Sequence, residues 1–180
     1  SNVGGVTSLE AFRSSGSPNA ISALDATIPR PLGATTKAIT FLGMSPGGEL
    51  VIVHDGASLW SVPYAGGALR RLASYPDKLL RLEWSPDGTT LALVGHSHDV
   101  VLVEMMTAKV HQLRGHTDAL YTAQWTRDSK RLLTASDDAT ARVWTIADGT
   151  SLVFRGHDDD VYRARFSADE SQIATASLDG

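Results

Sequence analysis

The chain has 180 residues, of which 42% are hydrophobic and 20% charged, as in ordinary water-soluble globular proteins. It contains no cysteine, which excludes disulfides and thiolate metal sites, and no apolar run approaches the ~18 residues of a membrane-spanning helix. The net charge is −4, with basic and acidic residues spread along the chain, so the basic stripe of a nucleic-acid-binding protein is missing.

The first segment, residues 1–35, lacks the pattern of the rest of the chain. Two short helices are predicted in it, at about 8–13 and about 18–27. The first would begin at a capping box that starts with Thr7, and the second at Ser17-Pro18, where proline suits the first helical turn. A flexible linker is the alternative, because Ser, Gly and Ala are frequent. The chain also lacks an initial Met, so we expect it to be part of a longer protein.

From residue 36 onward, short stretches of alternating residues separated by turn residues predict strands. They form three sets of four and a fourth set half as long, at about 36–74, 75–114, 115–155 and 156–180. In the third set the predicted strands are Ala119–Trp125, Arg131–Ser136, Thr140–Trp144 and Ser151–Arg155. A sheet this small cannot bury both faces alone, so each set is expected to pack on its neighbours.

A repeat connects these sets. Gly115-His116 recurs 41 residues later as Gly156-His157, and tryptophans recur at the same interval. A period of ~40–45 residues marked by a Gly-His pair and a tryptophan is typical of WD repeats. The chain resembles WD-repeat proteins closely over 109–180 and more faintly over 37–107. The resemblance implies an all-β fold, a partial propeller with three complete four-stranded blades and half of a fourth, after a short helical or linker segment.

The N-terminal segment also resembles the helical spacer that precedes the propeller in some bacterial signalling ATPases of the STAND class. This second resemblance implies a bacterial, cytoplasmic protein in which the chain is the C-terminal sensor part of a larger switch. Because a propeller normally closes with ~4–8 blades, the half-length fourth set predicts further repeats in the longer protein.

The WD-repeat resemblance implies a hydrogen-bonded structural tetrad in the third blade. Its members would be His116, Thr134, Asp138 and Trp144, and three of them recur in the fourth blade as His157, Thr175 and Asp179. A hairpin that turns at Asp138-Ala139 would place Thr134 opposite Trp144. A His beside an Asp is also a catalytic pattern, but the repeat favours a structural role. The aligned positions of the second blade are Tyr75, Leu93, Ser97 and Val103, so no network is expected there.

The other histidines and acidic residues are not expected to be metal ligands. His54 beside the Asp55-Gly56 turn is expected to be solvated, and Trp60 to lack the partners of a repeat tryptophan. His96, His98 and Asp99 form a small cluster at a hairpin tip, which is more simply a polar turn than a metal site. No metal and no cofactor are predicted.

The sequence contains no P-loop and no G-x-S-x-G elbow, so no catalytic residue is assigned. The resemblance implies a non-catalytic scaffold or sensor module that binds protein or peptide partners on one rim. The rim positions would be Tyr121, Ala123, Asp137, Tyr162, Ala164 and Leu178, with Leu80, Leu82 and His96 in the second blade. The same residues are equally compatible with packing between blades.

Two alternatives stay open. One is an enzyme with its active site in the propeller channel, for which Arg81 and Arg163 are the charged residues near suitable positions. The other is a structural fragment that self-associates through exposed blade edges, because an unpaired edge can pair with another chain. Neither nucleic acid nor membrane is expected as a partner.

Overall fold

The computed structural model describes residues 20–25, 28–34, 39–75 and 77–179, and for residues 20–34 and 41 it describes the backbone alone. This part of the chain contains sixteen strands and no helix. Accordingly, none of the described residues belongs to a helix of the length and apolar character needed to cross a bilayer.

The N-terminal part of the fold is a hairpin. Strand β1 (Ala20–Asp25) pairs antiparallel with β2 (Ile28–Ala34). The helix predicted at about 18–27 is therefore wrong, whereas the one at about 8–13 lies outside the described residues. A helix of this length is marginal in water, and strand pairing satisfies the same backbone groups with a neighbouring segment.

The remaining strands form blades in chain order, each strand antiparallel to the one before it. Blade 1 contains β3 (Phe41–Met44), β4 (Leu50–His54), β5 (Ser58–Pro63) and β6 (Arg70–Ser74). Blade 2 contains β7 (Leu79–Trp84), β8 (Thr90–Gly95), β9 (Val100–Glu104) and β10 (Val110–Leu113). Blade 3 contains β11 (Leu120–Trp125), β12 (Arg131–Ser136), β13 (Ala141–Thr145) and β14 (Ser151–Phe154). A two-stranded fourth sheet contains β15 (Val161–Phe166) and β16 (Ile173–Ser177).

These bounds match the predicted strands to within a few residues. In blade 3 each strand begins and ends within one residue of its predicted bounds. The predicted set of three four-stranded blades and half of a fourth is found.

The core lies between the blades, where apolar faces meet in successive layers. The second strand of each complete blade is covered on both sides, so its sequence is a nearly continuous apolar run, as in TLALVG of β8. One layer joins blades 1 and 2 through Ile52, Leu91 and Leu93. The next joins blades 2 and 3 through Ala92, Leu120 and Trp144, and a third joins blades 3 and 4 through Leu133, Ala135 and Val161.

The turn between the first two strands has the same conformation in all four blades. Its fourth residue has a positive φ, near 60–80°, at Gly48, Gly88, Ser129 and Glu170. Glycine adopts this conformation without strain, whereas Ser129 and Glu170 do not. Their side chains contact the preceding blade instead. The Ser129 hydroxyl accepts the N–H of Asp87 at 3.1 Å, and the Glu170 carboxylate accepts the N–H of Arg127 at 2.8 Å.

The blades therefore have two different rims. The entry rim carries the loops that lead into the first strand of each blade and the hairpins between the second and third strands. The opposite rim carries the turns described above and the hairpins between the third and fourth strands.

Candidate functional site

The polar network of blade 3 is a closed chain of hydrogen bonds. His116 contacts Asp138 through Nδ1 at 2.7 Å and the Thr134 hydroxyl through Nε2 at 2.8 Å. The indole N–H of Trp144 donates to the same hydroxyl at 2.8 Å. The structure thus brings all four residues of the predicted tetrad together.

The donors and acceptors of this network fix its protonation. An ionised Asp138 can only accept, so Nδ1 of His116 carries a proton and donates to it. In the neutral ring Nε2 is then an acceptor, and it accepts from the Thr134 hydroxyl, which itself accepts from the indole of Trp144. Burial lowers the pKa of His116, which keeps the ring neutral in spite of the neighbouring carboxylate. Although burial by itself raises the pKa of Asp138, hydrogen bonds from Thr140 and His116 bring it below its ordinary value.

The register of the hairpin differs from the predicted one. Thr134 lies opposite Arg142, and Trp144 lies opposite Leu132. The prediction that Thr134 faces Trp144 is therefore wrong by two residues. The contact survives because Thr134 and Leu132 point to the same face of β12, and the long indole of Trp144 reaches along that face.

The half-blade repeats two of these contacts, which join three residues in a more exposed setting. His157 contacts Asp179 at 2.9 Å and the Thr175 hydroxyl at 2.8 Å. The side chains of His157 and Asp179 are 29% and 22% exposed, against 0% and 6% for His116 and Asp138. Water can therefore replace protein partners in blade 4 but not in blade 3.

Blade 1 has a different polar network, which the sequence analysis missed. His54 is buried, and contacts the Thr40 hydroxyl at 2.9 Å and the Tyr75 carbonyl oxygen at 2.8 Å. The expectation that His54 is solvated is wrong. Trp60 was expected to lack partners, but its indole N–H donates to Asp55 at 3.0 Å. The adjacent His54-Asp55 pair, followed five residues later by Trp60, was the available signal.

Blade 2 lacks the hydrogen-bonded tetrad, as predicted, and a buried tyrosine occupies part of its place. Tyr75 stands where blade 3 has His116, and its side chain is buried against His54. Among the described residues the Tyr75 hydroxyl has no hydrogen-bond partner, and Leu93 stands at the aligned position of Thr134. Burial raises the pKa of Tyr75 far above its ordinary value, so the phenol stays neutral.

A cluster of tyrosines and aspartates lies on the entry rim where blades 3 and 4 meet. The rings of Tyr121 and Tyr162 are 5.2 Å apart between centroids and tilted by 55°. The Tyr121 hydroxyl donates to Asp137 at 3.1 Å, and that of Tyr162 donates to Asp160 at 3.3 Å. We call these four residues, together with the exposed Asp118, the tyrosine–aspartate patch.

The other predicted rim residues divide into buried and accessible ones. Ala123 and Ala164 are 1% and 0% exposed and pack between blades, and Leu82 packs against the core of blades 1 and 2. A docked partner has no access to the two alanines, so we do not retain these three residues in the proposed binding surface. Leu178 is 65% exposed, His96 is exposed, and Leu80 is partly exposed.

The remaining candidates for chemistry are weaker. Among the described residues no three His, Asp or Glu side chains are placed to hold a metal ion. Asp99 of the hairpin-tip cluster pairs with Arg114 at 3.5 Å. A cavity of about 430 Å³ on the opposite rim includes Glu104 and His111, which pair with each other at 3.0 Å.

Two stretches of the chain, residues 107–145 and 149–180, match the family model described as WD domain, G-beta repeat. No curated protein matches the sequence. Each matched stretch begins at the outer strand of one blade, β10 or β14, and continues through the first strands of the next blade. With three four-stranded sheets and half of a fourth, the described residues have the architecture of part of a WD-repeat β-propeller, which confirms the predicted fold class. WD repeats generally act as non-catalytic modules for protein–protein interaction.

Proposed function

We propose that the chain is a non-catalytic platform that binds a protein or peptide partner on its entry rim, centred on the tyrosine–aspartate patch. The main support is the paired rings of Tyr121 and Tyr162, which come from different blades and remain partly exposed. Tyrosine buries a large contact area at a small cost in side-chain entropy, and it is enriched at the centres of protein interfaces.

The surroundings of the rings support the same surface. Leu178 is 65% exposed on the hairpin next to Tyr162 and offers an apolar contact at the margin of the patch. The buried strands beneath hold these loops in place, so a partner would meet a preorganised surface and lose little binding free energy to ordering it.

The test is a comparison of proteins captured by the immobilised chain and by two variants. We expect Tyr121→Ala combined with Tyr162→Ala to lose the captured partner, because both ring faces are removed. Met106→Ala is the matched control, since Met106 is 86% exposed after β9 at the opposite rim. Thermal unfolding of each variant would establish that the fold is retained. Capture of the same proteins by all three forms would contradict the proposal.

The alternatives have less support. For an active site in the channel, the structure places Glu83 near Arg81. Burial raises the pKa of Glu83 above its ordinary value, although Arg81 and Arg165 partly lower it. This cluster consists of one carboxylate and the arginines that compensate its charge. Self-association through a blade edge would use β16, which pairs only with β15 among the described strands. Nucleic acid is disfavoured as a partner because the patch is acidic.

The role as the sensor part of a STAND-class ATPase, the bacterial origin and the cytoplasmic location all stay predictions. The resemblance to STAND-class ATPases depended on a helical N-terminal segment, and β1 and β2 occupy much of that segment. We therefore do not carry the sensor role in such an ATPase into the proposed function. Bacterial origin and cytoplasmic location rest on the same resemblance.

A further inference from the structure

The tyrosine–aspartate patch has more negative charge than its contacts neutralise. The four salt bridges found among the described residues involve other acids, so Asp118, Asp137 and Asp160 have no cationic partner in them. Burial raises the pKa of Asp137 above its ordinary value, and the neighbouring carboxylates of Asp160 and Asp118 raise it further, against the hydrogen bond from Tyr121. One carboxylate oxygen of Asp137, Oδ1, is shielded from solvent and has no hydrogen-bond partner.

The tyrosines add an aromatic face and hold the carboxylates in position. Burial and the adjacent aspartates raise the pKa of Tyr121 and of Tyr162, so both phenols stay neutral and donate to Asp137 and Asp160. A cation above such a ring is attracted by the electron-rich face, and a carboxylate at the ring edge strengthens that attraction.

The fold does not require these residues. At the aligned positions of blade 2, Leu80 replaces Tyr121, His96 replaces Asp137, and Lys78 stands two repeats before Asp160. Blade 2 nevertheless forms the same four-stranded sheet as blade 3. The aromatic and acidic composition is therefore specific to the junction of blades 3 and 4.

We propose that the patch is a binding site for an arginine side chain of the partner, and this rests on the proposed function. A guanidinium group is planar, stacks on aromatic rings and donates several N–H bonds in one plane. It would lie against Tyr121 and Tyr162 and neutralise the charge of Asp137 and Asp160. In blade 2, Leu80 carries no charge and Lys78 would repel a cation, so a guanidinium group would not bind there.

The test uses a capped Gly-Arg-Gly-Arg-Gly peptide and the same peptide with citrulline, which keeps the shape of arginine without its charge. Amide chemical shifts of the isotopically labelled chain, followed by NMR during titration, give the location and the Kd. We expect the arginine peptide to shift amides at 118–121, 137–138 and 160–162, with a Kd up to ~1 mM. The citrulline peptide should bind at least roughly tenfold more weakly.

A matched pair of charge variants separates a local site from a general electrostatic effect. Asp137→Asn with Asp160→Asn should weaken binding of the arginine peptide at least roughly tenfold. Asp148→Asn with Asp169→Asn removes the same charge from the turns of the opposite rim and should leave the Kd unchanged.

Three results would overturn the arginine site: equal affinity for the two peptides, equal losses in the two variants, or no shifts in the patch at ~10 mM peptide. The proposed function fails separately. If loss of both tyrosines abolishes partner capture while the two peptides bind alike, the platform stands and the arginine site does not. If capture survives without the tyrosines but the arginine peptide still shifts the patch, the cation site stands and the partner docks elsewhere.

Discussion

At the scale of single residues, the polar network of blade 3 depends on one hydroxyl group. The Thr134 hydroxyl joins Trp144 to His116, because it accepts from the indole N–H and donates to Nε2 of the imidazole. It is buried together with Trp144, so no water molecule can take over its role without a rearrangement. Removing it leaves an indole N–H and an imidazole nitrogen without partners.

We therefore expect Thr134→Val to lower the free energy of unfolding by about 2–4 kcal/mol, since each orphaned group costs about 1–3 kcal/mol. Thr175→Val is the matched control, because Thr175 holds the equivalent place in the exposed network of blade 4. Its effect should be below about 1 kcal/mol, because water replaces the lost hydroxyl. Urea unfolding followed by tryptophan fluorescence measures both, and equal losses would contradict the assigned roles.

Residue types predicted the members of this network but not their register. The resemblance to WD repeats implied which histidine, threonine, aspartate and tryptophan form the tetrad. The pairing of Thr134 with Arg142 depends on the conformation of the hairpin turn. A shift of two residues keeps every side chain on its face, so the alternation pattern has no power to distinguish the two registers.

At the scale of elements, the entry loops lie against the ends of the second strands. In blades 3 and 4 this strand ends in serine, and the hydroxyls of Ser136 and Ser177 donate to the carbonyl oxygens of Asp118 and Asp159 at 3.1 and 3.0 Å. In blade 2 the strand ends in Gly95, and the loop lies so close that a Cβ atom there would overlap the Lys78 carbonyl oxygen.

We expect Gly95→Ala to lower the free energy of unfolding by about 2–3 kcal/mol, because the clash is with backbone that has to move. Gly43→Ala is the control in a strand of blade 1, where a Cβ would meet the Leu82 side chain at an ordinary 3.6 Å. Alanine at that position should change stability by no more than about 1 kcal/mol. Thermal or urea unfolding would test the pair, and a tolerated Gly95→Ala would refute the close approach of the loop.

At the scale of the whole molecule, the blades differ in how well their neighbours cover them. Strands β8 and β12 lie inside complete blades with an apolar layer on either side. Most of β16 is exposed, and within the described part of the chain it pairs with β15 alone. Local opening costs least where few apolar contacts are lost, so stability should fall from blades 2 and 3 towards blade 4.

Hydrogen–deuterium exchange would measure this gradient. We expect the amides of β16 to exchange at least roughly tenfold faster than those of β12. Normalisation to intrinsic exchange rates removes the effect of sequence. Equal protection of the two strands would contradict this expectation and would indicate that a second copy of the chain covers the edge of β16.

The sequence alone determined the repeat, the strands and the blade count, because these depend on local alternation and on a period of 41 residues. It also identified Tyr121 and Tyr162, but it gave no means of separating them from Ala123 and Ala164, which occupy equally regular positions. Only the tertiary structure decided that the alanines are buried between blades while the tyrosines meet across the rim with Asp137 and Asp160. That outcome depends on how neighbouring blades stack, and the packing of residues about 40 positions apart leaves no mark in the pattern of a single strand.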